Sequence, residues 1–593
     1  MEKGFAAAYK QLNSAQKQAV DAIDGPVLVV AGPGTGKTQL LSLRVANILL
    51  KTDSDASNIL CLTFTNKAAV NMRDRLYQLI GPASRNVIVK TFHSFAADIM
   101  NQYPDYFWEG ARLSVAPDAV QAEIIQKILA SLPLANPLSS TFAGSYTALT
   151  DVKQALKLAK EAGLTPDELK TAIDENLKYI NSIERDFINI VPPTLSTKKL
   201  AELGAKINKL PAQKTTQKHI LLSLDVSIKE SLVAAISQDE NTNKTKETGK
   251  WKQRWIQTVN GKRGMFKERA RNEWWLAVAD VYESYRDQLH QRGFYDYSDM
   301  MIEVIEQVQK EPNLRADLQE RFLYVLIDEF QDTNAAQLRL AHLVADHYSS
   351  NNRPNLMAVG DDDQSIFAFN GAELNNMIGF ARSYPDTKLI VLKDNYRSSQ
   401  AILEAASSII QLAEDRLVNR EPNITKNLNS QNPPNQISLI QHNSYPTRQH
   451  QQSAVAKEIK ALWDSGETDI AVLSRKHEGL EQLAGILLRL NVPIRYERRN
   501  NVLDNEGVAE ICKIAALAVE ISSGDRAKVN LGIAEIIKHP MWKLSPKTLW
   551  KLAIDNYSNN DWLESLLNHE DPEISQIGYW LTWLGRISDE QPL

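Results

Sequence analysis

The segment that most restricts the fold is Ala31–Thr38, AGPGTGKT. It follows the apolar run Pro26–Val30 (PVLVV) directly. It runs straight into Thr38–Leu50, where Leu40, Leu41, Val45, Ile48 and Leu49 fall at helical spacing. A short buried strand, a glycine-rich turn and a helix in that order form a phosphate cradle: glycines let backbone amides turn inward, and the helix N-terminus adds its positive end. Gly32, Pro33, Gly34, Thr35 and Gly36 make the turn. Lys37 is placed to reach the β and γ phosphates and Thr38 to hold Mg2+. Ala31 stands where the strict pattern has glycine. The alternative is a glycine-rich turn that binds nothing, and the strand–turn–helix context disfavours it.

The flanking chain supports a parallel sheet. Asn58–Phe64 (NILCLTF) reads as a strand, Ala68–Leu79 as a helix and Val87–Lys90 as a third strand. Such alternation implies helices on both faces of a mainly parallel sheet, an α/β fold. From Ala111 to Gly293 strand signals vanish and helical patterns dominate, with a polar loop expected over Asp239–Lys250. This reads as a helical insertion rich in lysine and tryptophan (Trp251, Trp255, Trp274, Trp275), for which a solvated, charged helical surface is the favoured reading over a binding surface for duplex DNA or a partner. Strands return at Phe322–Ile327, Asn355–Val359 and Lys388–Leu392, and a helix spans Ser399–Leu412. After a loop at Gln431–Gln436, a second α/β unit is expected: strand Asp469–Leu473, helix Gly479–Leu490, strand Ile494–Tyr496. From about Asn505 the chain reads helical, with Trp542, Trp550, Trp562, Trp580 and Trp583.

Val325–Asp332 (VLIDEFQD) carries the second chemical signal. An apolar strand ending in Asp-Glu sets two carboxylates at the carboxyl edge of the sheet, where the phosphate cradle also lies. Asp328 is the expected Mg2+ partner and Glu329 the base that orients and deprotonates water. Two cysteines, Cys61 and Cys512, are too few for a disulfide framework or a zinc site. With no apolar run near the ~18–20 residues of a membrane span and no signal-peptide core at the N-terminus, a cytoplasmic location is expected. The net charge of −5 neither advertises nor excludes nucleic-acid binding, because a local groove outweighs the sum.

A series of further strings falls in a telling order: Leu12–Val20 (LNSAQKQAV), Thr63–Met72 (TFTNKAAVNM), Thr91–Phe95 (TFHSF), Phe294–Met300 (FYDYSDM), Leu326–Gln337 (LIDEFQDTNAAQ), Val359–Ala372 (VGDDDQSIFAFNGA) and Asp394–Ser399 (DNYRSS). In these the chain resembles the superfamily 1 DNA helicases typified by UvrD, Rep and PcrA. The resemblance implies P-loop NTPase (RecA-like) parallel sheets with inserted helical subdomains. It divides the chain into a first motor domain (1–110 plus 291–390), a helical accessory insertion (111–290), the first part of a second motor domain (391–503) and the start of a second accessory subdomain (504–593). It implies ATP and Mg2+ as cofactors, with single-stranded DNA and duplex junctions as partners. It casts Gln16 as adenine reader, Gln364 as contact to the γ-phosphate and attacking water, Tyr396 as adenine stack and Arg397 as arginine finger. Phe64, Phe367 and Phe369 become base-stacking faces, and Thr65, Asn66, Thr91 and His93 backbone contacts to the DNA strand.

Three departures stand out. Phe369–Asn370 precede Gly-Ala where the family commonly has an arginine, Gln39 replaces a frequent arginine, and the insertion is longer than usual. Strings resembling TIHxxKGLEF and YVAxTRA, which supply a DNA contact and a second arginine finger in the family, do not follow Arg397. Arg495–Ile511 resembles the junction into the second accessory subdomain. A shortened product is therefore expected. The activity implied is 3′-to-5′ translocation and unwinding in DNA repair or recombination. The rivals are an ATP-responsive DNA-binding adaptor and the helicase half of a helicase–nuclease.

Overall fold

The computed structural model describes residues 2–110, 113–142, 145–216, 223–242, 244–347, 353–366, 374–413, 416–420, 424–432, 440–496, 506–559 and 561–590. The chain divides into two compact units, Met1–Ile440 and Gln441–Leu593.

The first unit is built on six parallel strands: β1 (Val27–Ala31), β2 (Ile59–Thr63), β3 (Ile88–Thr91), β4 (Tyr324–Ile327), β5 (Leu356–Gly360) and β6 (Lys388–Leu392). They lie in the order β6-β1-β5-β4-β2-β3. β1, β2, β4 and β5 are buried along their whole length, which explains why VLVVA, ILCLT, YVLI and LMAVG are continuously apolar. Alternate side chains feed two cores. Leu28, Leu60, Val325 and Ile327 pack with helices Phe92–Gln102, Asp299–Lys310 and Ala335–Ala345. Val29, Cys61 and Leu326 pack with helices Ser14–Asp21, Lys37–Lys51 and Asn66–Ile80. The fold is thus α/β with a parallel sheet covered on both faces. Cys61 and Cys512 are both free, and burial pushes the Cys61 thiol up to about 12, which leaves it an inert core residue.

The region between β3 and β4 is helical, with two cores of its own. One gathers Ile124, Ile128, Val152, Leu156, Val278 and Tyr282; the other gathers Ile183, Phe187, Leu203, Leu232, Trp251 and Trp255. Helix Pro166–Ile190 contributes to both cores. It starts at a capping box, where Thr165 Oγ1 accepts from Glu168 N and Glu168 accepts from Thr165 N, with proline at the first turn.

Three sequence expectations change here. The stretch 239–250 is not a loop: helix Leu224–Thr242 runs into it and helix Lys246–Trp255 begins in it, with Asn243 outside the described residues. Its polar residues are caps, because the Asp239 carboxylate accepts from Glu247 N (3.0 Å) and Thr248 N (2.7 Å). Trp251 and Trp255 are core, 4% and 1% exposed, so they offer no DNA surface; Trp274 and Trp275 are half-buried against the first insertion core. Short strands also occur where none was expected, including the pair Ser114–Val115 with Phe294–Tyr295.

In the second unit, helices Arg448–Asp464 and His477–Arg489 pack through Ala456, Ile459, Leu483 and Leu487. The expected strands at 469–473 and 494–496 do not form among the described residues. A strand exists only through a hydrogen-bonded neighbour, and Leu473, 94% exposed, has none beside it. Helices from Glu506 to Glu590 enclose a separate core of Leu517, Val529, Ile533, Leu552, Leu566 and Leu581. Much of the loop 431–436 and of the junction 495–511 lies outside the described residues. No helix among the described residues is long and apolar enough to cross a membrane.

Candidate active site

All six strands end on one edge of the sheet, and most of the described residues singled out from sequence lie at or near that edge. Ala31 closes β1, and the turn Gly32–Gly36 leads into helix Lys37–Lys51. Gly34 (φ 69°) and Gly36 (φ 85°) take left-handed conformations that turn the amides inward. Thr35 is buried and its Oγ1 donates to Gly32 O at 2.8 Å, bracing the turn from inside. Thr38 sits half-buried in the first helical turn.

Asp328 and Glu329 follow β4. Asp328 N donates to Leu62 O at 2.9 Å, which fixes it to β2. Glu329 takes φ 49°, a left-handed conformation unusual for a non-glycine residue. Its Oε2 meets Lys37 Nζ at 2.6 Å, so cradle and acidic pair form one site. Burial first, then the Glu329 charge, pushes the Asp328 and Asp332 carboxyls up to about 6. Three carboxylates grouped around the single Lys37 ammonium leave a surplus of negative charge, which fits a divalent cation. Asp328 and Thr38 would hold Mg2+, which would supply charge neutralisation for bound phosphates.

Gln16 reaches the cradle from helix Ser14–Asp21. Its Nε2 donates to Thr35 O at 2.9 Å, and its Oε1 accepts from Asn13 N in a capping box. That helix is tied down by Arg44, 1% exposed, which donates to the carbonyls of Ala19 (2.9 Å), Ala22 and Ile23 (3.0 Å). Burial lowers the Arg44 pKa to about 10, which leaves it charged at neutral pH.

Gln364 follows β5 and donates through Nε2 to Asp361 Oδ2 at 2.7 Å. Tyr396 and Arg397 follow β6. Tyr396 N donates to Gly34 O at 2.9 Å, and the residue is 46% exposed. Buried Asn395 donates from Nδ2 to Pro33 O and accepts at Oδ1 from Arg397 N (2.9 Å) and Ser398 N (2.8 Å). The segment carrying the proposed finger is thereby hung on the phosphate turn. A Cβ at Gly34 would lie 2.7 Å from both Arg397 Cβ and Asn395 Nδ2. Gly34→Ala is therefore expected to lower stability by at least about 1–2 kcal/mol from left-handed strain alone, read as a reduced urea midpoint.

Lys426 and Arg416 clamp the Asp361–Asp363 turn. Lys426 Nζ lies 2.7 Å from Asp361 Oδ1 and also contacts Asp362, and Arg416 grips Asp363 through two contacts of 2.7 Å. Against the upward push of burial, Arg416 and Lys426 hold the Asp363 carboxyl below its ordinary range. A cavity of about 520 Å³ opens beside this clamp, lined by Gly32, Pro33, Gln364, Leu403, Arg416 and Leu428.

Comparison with known proteins decides the family. Residues 12–385 match the UvrD/REP helicase N-terminal domain, and residues 390–566 match the UvrD-like helicase C-terminal domain. The chain belongs to the UvrD-like helicase family. It is 26% identical over 560 residues to the ATP-dependent DNA helicase PcrA of Staphylococcus epidermidis, covering 93% of this chain and 59% of that protein. It is 28% identical over 542 residues to the ATP-dependent DNA helicase UvrD1 of Mycobacterium tuberculosis, covering 88% of this chain and 56% of that protein. The chain thus spans less than two thirds of the length of these relatives.

On this UvrD-like chain five of the candidate DNA residues lie at or just after the ends of β2 and β3, on the same sheet edge. Thr65 caps helix Asn66–Ile80 by accepting from Ala68 N (3.1 Å), and Thr91 caps helix Phe92–Gln102 by accepting from Ser94 N (3.2 Å). Asn66 is exposed and Phe64 half-buried. His93 stacks on Tyr297 with ring centroids 4.6 Å apart and planes 13° apart, and burial lowers its pKa. Phe367 and Phe369 lie outside the described residues. The structure therefore gathers Gln16, the cradle, Asp328, Glu329, Gln364, Tyr396 and Arg397 around one turn, with Phe64, Thr65, Asn66, Thr91 and His93 further along the edge.

Sequence reasoning missed Asn13, Arg44, Asn395, Arg416, Lys426 and Tyr297. Asn13 carried a usable signal, since Asn three residues before Gln is a capping-box spacing. Tyr297, 52% exposed, lay in a string that was noticed but given no role.

Proposed function

We propose that this chain is an ATP-dependent DNA helicase or translocase that couples hydrolysis to movement along single-stranded DNA and to duplex unwinding. The carrying observation is the convergence on one phosphate turn: Lys37 pairs with Glu329, and Tyr396 and Asn395 hydrogen-bond to the carbonyls of Gly34 and Pro33 in that turn. ATP phosphates take the amides of Gly32–Thr38 and the Lys37 ammonium. Glu329 takes a proton from water attacking the γ-phosphate, Gln364 contacts that phosphate, and Arg397 meets the charge that develops on it. Tyr396 stacks on the adenine and Gln16 reads its edge. DNA lies across the ends of β2 and β3, where Phe64 and the His93–Tyr297 stack offer aromatic faces and Thr65, Asn66 and Thr91 meet the backbone. The 3′-to-5′ direction and a role in DNA repair or recombination complete the proposal and draw on the relatives. So do the motor and accessory divisions at 1–110 with 291–390, 111–290, 391–503 and 504–593.

The test is steady-state ATP hydrolysis by residues 1–593, with and without single-stranded DNA, beside Lys37→Ala. DNA-stimulated turnover absent from Lys37→Ala is expected. Turnover equal in the two proteins would overturn the assignment of the site.

A further inference from the structure

Gln331 is 3% exposed and sits among the proposed catalytic groups without a role of its own. Its amide is committed in two directions. Nε2 donates to Glu329 Oε2 at 2.9 Å and, more weakly, to Asp332 Oδ2 at 3.5 Å, and Oε1 accepts from Asp361 N at 2.9 Å. A backbone N–H can only donate, so Oε1 must face Asp361 and the amide NH2 must face Glu329. Gly360 permits this approach: a Cβ there would fall 2.7 Å from Gln331 Oε1 and 3.0 Å from Gln331 N. Beyond Gln331, Asp361 Oδ2 accepts from Gln364 and its Oδ1 meets Lys426, both at 2.7 Å. Gln331 therefore stands between the carboxylate at the end of β4 and the turn that carries Gln364 at the end of β5.

Lys37 shares the same Glu329 oxygen at 2.6 Å. Under the reading given above, on which this inference rests, bound phosphates draw Lys37 away. Gln331 is then the side-chain donor left on that oxygen among the described residues. We propose that Gln331 is a positioning residue for ATP hydrolysis, aiming the Glu329 carboxylate and tying that aim to the turn that carries Gln364. A shift of Gln364 on meeting the γ-phosphate moves Asp361, and Gln331 passes the shift to the base.

Gln331→Leu keeps the bulk and removes the amide's hydrogen bonds to Glu329, Asp332 and Asp361. Loss of a hydrogen bond to a charged group predicts a kcat for DNA-stimulated ATP hydrolysis about 10- to 100-fold lower, with the KM for ATP within about twofold of wild type. Because the residue acts through Glu329, the same substitution in a Glu329→Gln background costs no more than about twofold further. A single-variant kcat within twofold of wild type overturns the proposal, and so does a full further loss in the Glu329→Gln background. Should Gln331→Leu fail to fold, Gln331→Glu is scored identically: it keeps the acceptor for Asp361 N but sets a carboxylate against Glu329. Absence of DNA-stimulated turnover in the wild-type chain defeats the functional reading separately. The positioning role is then decided by a crystal structure with Mg2+ and a non-hydrolysable ATP analogue. Gln331 bridging Glu329 and Asp361 there supports it, and Gln331 turned away overturns it.

Discussion

Glu329→Gln is expected to lower DNA-stimulated ATP turnover by about 10²–10⁴-fold, the usual contribution of a positioned general base, while nucleotide binding persists. Glutamine has the same shape and still offers an oxygen to Lys37 Nζ, so the cradle keeps its contact. What it cannot do is accept a proton from water. The substitution also has a pH signature. The Asp328 and Asp332 carboxyls, held at about 6 by burial and then by the Glu329 charge, lie above their ordinary 3.8. A carboxyl raised in the folded state binds protons more tightly than in the unfolded chain. It therefore weakens the fold as pH rises from about 4 to about 6, with the full cost present above that window. Removing the Glu329 charge reduces this cost. The Lys37–Glu329 charge pair is lost in exchange, but the glutamine oxygen stays against Lys37 Nζ, and Asp328 and Asp332 still face the ammonium. Without divalent cations, Glu329→Gln should have the higher thermal midpoint at pH 7, and the gap should close toward pH 4. Turnover within tenfold of wild type would place the base elsewhere.

What could be read from the sequence were features with a local physical cause. The phosphate cradle is a strand, a turn and a helix within one short stretch, and its glycines are required by φ values of 69° and 85°. The Asp328–Glu329 pair follows from a strand whose four residues are all buried. Strand pairing beyond the first sheet was not legible, because the apolar run in Asp469–Leu473 cannot say whether a neighbour lies alongside. Composition misled at 239–250, where polarity came from helix capping by Asp239, and at Trp251 and Trp255, where bulky aromatics near lysines were core. The residues that knit the site together were invisible for a different reason. Asn395 meets Pro33 across 362 positions, and Lys426 meets Asp361 across 65, so no local pattern announces either contact.

Lys160→Met is expected to cost about 3–5 kcal/mol, the loss typical of breaking a buried ion pair from one side. Lys160 is fully buried, with Nζ 2.8 Å from Asp299 Oδ1 and 3.0 Å from Asp296 Oδ2. Tyr285 OH donates to Asp296, and the Tyr285 and Tyr282 rings lie 4.9 and 5.4 Å from the ammonium. Burial alone would push the lysine pKa down, but Asp299 and then Asp296 outweigh it and hold it above its ordinary value. Methionine fills the space and leaves two carboxylates facing each other in the interior, Asp299 with a side chain only 1% exposed. Urea unfolding of the full chain should show the loss in the transition of the first unit, and a change below 1 kcal/mol would contradict the argument. The triple variant Lys160→Met, Asp296→Asn, Asp299→Asn should regain much of it, because the cost lies in the unpaired charges rather than in the missing contacts. The site should feel the same change. Lys160 joins insertion helix Leu149–Glu161 to the turn containing Tyr297, whose ring supports His93. Under the proposed function, Lys160→Met should therefore weaken single-stranded DNA binding in an anisotropy titration, while ATP affinity, assigned there to the Gly32–Thr38 turn, stays at the wild-type value.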